Sequence, residues 1–144
     1  MSRVHPCAVA LLVLAAPVAS ADDLTGAGRL LCASVQATQC QEGGDCLLEV
    51  PWNLNIPAFI EIDLGATKLS STAASGESRS TPITHLAREN AIIVLQGFEM
   101  GRAFSYVITE ETGRAAFAMA REGSATVVFG VCTPQPAPAA PATK

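Results

Sequence analysis

Residues 91–132 read AIIVLQGFEM (91–100), GRAFSYVITE (101–110), ETGRAAFAMA (111–120) and REGSATVVFGVC (121–132), and this stretch decides the fold. Its apolar runs are broken at Glu99-Met100-Gly101, at Glu110 to Gly113 and at Glu122-Gly123. Each break is short enough for a hairpin, so the pattern predicts an antiparallel meander of four strands. Within it Phe104, Tyr106 and Ile108 share one face, and Ala125, Val127, Phe129 and Val131 share another.

Working outward, the segments before the meander are also short and strand-like. Leu31 to Thr38 alternates, Leu47 to Val50 is a brief apolar run, and Ala58 to Leu64 places Ile60, Ile62 and Leu64 opposite Phe59, Glu61 and Asp63. Thr67–Leu69 and Pro82–Ala87 add two more short strands. Two connections are longer than tight turns. Pro51 to Pro57 is bounded by prolines and carries Trp52, the only tryptophan. Ser70 to Thr81 is polar, unpatterned and the segment expected to move most. The fold expected is all-β, a small antiparallel barrel of about eight strands closed by a disulfide, with a two-sheet sandwich as the alternative.

Both ends of the chain read differently. Arg3, the apolar run Ala8–Ala16 and the small-x-small Ala19-Ser20-Ala21 make residues 1–21 a cleaved signal peptide. The run is too short to span a bilayer, which needs about 20 apolar residues. Residues 22–132 then form one β domain, and 133–144, rich in proline and alanine, an extended disordered tail. Periplasmic or secreted localisation follows. Loss of Arg3 leaves 8 basic and 13 acidic residues, a charge of −5. An acidic chain with singly scattered basic residues is a poor partner for nucleic acid. A monomer with no transmembrane segment is expected.

The mature part keeps Cys32, Cys40, Cys46 and Cys132, an even set that reads as two disulfides. Cys40 and Cys46 bracket Gly43-Gly44, which lets the chain reverse, so they pair locally and Cys32 pairs with Cys132.

No residue pattern points to catalysis, to a cofactor or to a metal. His85 is the one histidine of the mature chain, with Ser75, Ser78 and Asp63 as the only triad partners to consider and no G-x-S-x-G elbow. Glu61 and Asp63 share a strand face about 7 Å apart and read as a solvated pair. Phe104, Tyr106, Ile108, Phe117, Met119, Phe129 and the Ile92–Leu95 run would fill a narrow barrel, which leaves loops as the place for function. Trp52 is expected to pack against the barrel or, failing that, to anchor a partner. Candidate partner contacts are Trp52, Ser75, Gly76 and Arg79, the last through charge-assisted bonds to a carboxylate.

Residues 58–64 (AFIEIDL), Leu95-Gln96-Gly97, Gly101-Arg102-Ala103, Thr112-Gly113 and the closing Val128 to Pro134 resemble a group of uncharacterised small exported (periplasmic) β-domain proteins of Gram-negative bacteria. That resemblance implies compartment and compactness, and no activity. Residues 74–79 (ASGESR) are similar to the inhibitory loop of periplasmic lysozyme inhibitors, small disulfide-closed barrels. Glu77 and Ser78 depart from that motif, and no Trp-x-Lys-Gly follows it. The leading expectation is a non-enzymatic exported barrel that recognises a protein or envelope component with its surface loops. A lysozyme-inhibitor-like protein and a calycin-like barrel holding a small ligand are the alternatives.

Overall fold

A computed structural model describes residues 23–136. Every described strand joins one antiparallel sheet. The strands are β1 (Arg29–Gln41), β2 (Cys46–Glu49), β3 (Phe59–Asp63), β4 (Lys68–Ser71), β5 (Ser80–Glu89), β6 (Ile92–Glu99), β7 (Arg102–Thr109), β8 (Arg114–Arg121) and β9 (Ser124–Pro134). They pair in the order β1-β3-β4-β5-β6-β7-β8-β9, and β9 returns to β1, so eight strands close into a barrel. Closure removes the open edges that a sheet of this size would otherwise expose. The sandwich alternative is therefore excluded. The ninth strand, β2, pairs only with the upper half of β1, from Ala37 to Cys40.

Local chemistry accounts for the turns. Asn90 (φ 53°) and Ala91 (φ 60°) both adopt the left-handed region between β5 and β6, the geometry of a two-residue hairpin turn. Met100 and Gly101 repeat it between β6 and β7. Both expected disulfides are present, Cys32–Cys132 across the closing seam and Cys40–Cys46 across the β1–β2 hairpin. The seam carries a bulge between Ser34 and Gln36 that bends β1.

The interior is filled. Leu30, Ile62, Ile93, Leu95, Ile108, Phe117 and Val128 are fully buried, and Tyr106 stacks between Phe104 and Phe117 at 5.6 and 4.3 Å. Ile60, Ile62 and Leu64 point inward as expected. Three core assignments are corrected. Phe129 is half-exposed on the outside of β9, and Ile92 and Val94 lie on the outer face of β6. Cys132 forces this phase on β9: its sulfur must meet Cys32 inside, so Thr126, Val128 and Gly130 turn inward with it.

One end of the barrel is stoppered by the segment just before β1. Leu24 is fully buried there, its N–H donating to the Glu110 carbonyl. Arg88 pairs with the buried Glu110 carboxylate and donates to the carbonyls of Leu24 and Ala27. β9 runs two residues past the start expected for the tail. Gln135 then adds a backbone bond to Arg29 and a side-chain bond to Glu61. The expected signal peptide (1–21) and the rest of the expected tail (137–144) lie outside the described residues. Among the described residues no helix is long and apolar enough to cross a membrane.

Candidate functional site at the barrel mouth

The opposite end is built differently. β3 and β4 have 5 and 4 residues where β6, β7 and β8 have 8 each, so the barrel wall is low on that side. The two long connections fill the gap. The first forms a 3-10 turn at Pro51–Leu54, ended by Asn55 in the left-handed region. Pro51 and Ile56 are buried and cap the core. Trp52 does not plug the barrel; its side chain is 62% exposed. Proline, with no N–H to satisfy and a fixed φ, suits the buried first position of the turn, and this rotates Trp52 outward.

The second connection is more ordered than its composition suggests. Ala73–Ser75 forms a 3-10 turn closed by Gly76 at φ 70°. The Ser75 hydroxyl donates to the Thr72 carbonyl at 2.6 Å, and the Ser71 hydroxyl donates to the Glu77 carbonyl at 2.9 Å. Ser71 also accepts the Arg79 N–H. Hydroxyls thus replace the missing ladder bonds, a use of serine that apolar periodicity does not register.

Arg79 ties the two connections together. Its guanidinium donates to the Asn55 carbonyl at 3.1 Å and pairs with Glu77 at 3.3 Å and with Glu99 at 3.6 Å. These contacts brace the two connections against each other. Ser75 and Gly76 lie exposed at the tip of the second connection.

Between these loops is a cleft of about 50 Å³, bounded by Asn55, Ile56, Leu69, Arg79 and Glu99 and floored by Tyr106. A second depression of about 230 Å³ adjoins it, sharing Asn55, Ile56, Arg102 and Met119. Burial first, and then the Glu99 carboxylate, push the Tyr106 phenol well above its ordinary value of 10.0. Tyr106 therefore stays neutral at the cleft floor. Sequence reading missed Glu99 and Arg102. The signal was there: they flank the Met100-Gly101 turn and must emerge at one end.

The residues weighed for catalysis are not brought together. His85 lies exposed on the outer face of β5, Ser75 sits at the mouth, and Asp63 lies at the stoppered end of β3. Glu61 and Asp63 are paired through Arg29 at 3.9 and 3.8 Å rather than simply solvated. Among the described residues no three His, Cys, Asp or Glu side chains converge as metal ligands. Compared with family models, curated proteins and solved structures, the chain matches none.

Proposed function

We propose that this protein is a non-catalytic exported binding module that recognises a protein or envelope component with the loops at its barrel mouth. The observation that carries this reading is Trp52, the single tryptophan, held outward beside a buried proline on a loop that Arg79 braces. An aromatic presented on a braced loop loses little conformational freedom on binding, and tryptophan is enriched among residues that dominate interface energetics. The two disulfides suit an oxidising compartment. A calycin-like small-ligand role fits less well, because small-molecule sites usually run to about 300–1,000 Å³. The mouth clefts are about 50 and 230 Å³.

Affinity capture from periplasmic extract tests the reading. Intact protein retains a partner, Trp52→Ala loses it with an unchanged Tm, and deletion of residues 137–144 leaves it. Loss only on deleting the tail would refute the mouth as the binding face. A lysozyme-inhibitor-like role remains as a second reading because Ser75 and Gly76 form the exposed tip of the mouth. Retention of a lysozyme would select it.

A further inference from the structure

The outer face of the closing seam carries an apolar wall that the barrel itself does not use. Cross-strand register places Ala33 beside Val131, Gln36 beside Phe129 and Ala116, and Thr38 beside Val127 and Ala118. The Phe129 row continues through Val107 to Val94. In the four rows that pass through Val131, Phe129, Val127 and Ala125, from β1 across to β6, Arg114 is the only charged residue. A chain with 13 carboxylates has placed none there. Surface strands ordinarily alternate apolar-in and polar-out; β9 instead turns Val127, Phe129 and Val131 outward and Thr126 and Gly130 inward.

From this arrangement we infer that the wall is a two-fold interface between two copies of this chain. Its size is of the right order. Val35 (62% exposed), Phe129 (52%), Val131, Val127 and Val107 together expose area on the order of 400 Å². A stable homodimer buries about 800 Å² per subunit, of which roughly 65% is apolar. Its shape is self-complementary, as a two-fold contact requires. Phe129 and Val35 project as ridges. Beside them runs a groove of about 280 Å³ over Ala115 and Gly130, bordered by Val131 and Arg114. β8 adds a bed of small side chains at Ala116 and Ala118. The ridge of one copy can enter the groove of the other, and the same wall supplies both halves. The mouth with Trp52 lies at the barrel end and stays open in such a pair, so this inference is independent of the proposed binding face.

Sedimentation velocity of the purified, disulfide-bonded protein over roughly 1–100 μM tests it. The intact chain runs as a dimer. Phe129→Lys and Val35→Lys each weaken the dimer by about 100-fold, as charge introduced into an interface centre does, with the circular dichroism of the folded chain unchanged because both side chains lie outside the core. Tm falls only as far as the lost association accounts for. Trp52→Ala remains dimeric, which separates this result from the mouth assay. A monomer throughout the range would overturn the inference, and so would a dimer indifferent to both lysines. A monomer that floats with phosphatidylethanolamine–phosphatidylglycerol vesicles, and ceases to float in Phe129→Lys, would overturn it in favour of a lipid surface.

Discussion

Gly130 is the most exacting position in the closing seam. A Cβ added there would lie 2.3 Å from the Ala33 carbonyl oxygen and 3.3 Å from the Phe117 ring. The near atom is backbone in the neighbouring strand, so no side chain can swing aside. To restore a normal contact β1 must retreat by about 1 Å, and a ladder bond stretched from about 2.9 Å by that amount is no longer a hydrogen bond. Overpacking costs about 1–3 kcal/mol, and two weakened ladder bonds add about 1 kcal/mol each. Alanine's lower unfolded-state entropy returns roughly 0.5–1 kcal/mol. Gly130→Ala should therefore destabilise the protein by about 3 kcal/mol, seen as a lower urea midpoint at unchanged m-value. Gly43→Ala, where an added Cβ meets nothing within 4 Å, is the control and should shift stability little. A Gly130→Ala protein as stable as the control would refute the β1–β9 register.

Three further outcomes follow from the same structure. Replacing Cys32 and Cys132 by serine opens a closure of 100 residues and should cost about 4–5 kcal/mol, against about 2 kcal/mol for the Cys40–Cys46 pair, measured by denaturation of each double variant. Arg88→Ala removes the solvent-screened partner of Glu110 and the bonds to the Leu24 and Ala27 carbonyls and should cost about 1–2 kcal/mol, with hydrogen exchange rising first at Leu24 to Ala27. Tyr106 is the only tyrosine, and its raised pKa means the folded state holds the phenolic proton more tightly than the unfolded state does. Stability is thus undiminished by this group below pH 10 and falls as pH rises beyond it; phenolate absorbance should appear together with unfolding and not before.

The alternation of β7 and the Cys pairs were enough to read the barrel and its closure. They could not say which face of β9 is inside. Period-two spacing groups Val127 with Phe129 and Val131, but choosing a face by apolar content picks the wrong one. Covalent and steric constraints decide it: Cys132 must meet Cys32, and Gly130 is the residue small enough to pass Ala33. β2 was legible as a short strand, but its place outside the closed barrel was hidden because Leu47 and Leu48 are both exposed and show no alternation. At the mouth, the two loops were recognisable by length and proline content. The roles inside them were not, because Trp52 and Arg79 take their positions from Pro51, Asn55 and Glu99, contacts that reach across the fold.

A single tryptophan makes the central claim directly observable. Protein labelled with 5-fluorotryptophan should give one fluorine resonance, from Trp52, with the solvent sensitivity of an exposed ring. Added to unlabelled periplasmic extract, that resonance should shift or broaden, and removing residues 137–144 should not change the response. A resonance already shielded in the free protein, or one that stays unchanged while the protein is captured by a partner, would contradict recognition through the barrel mouth.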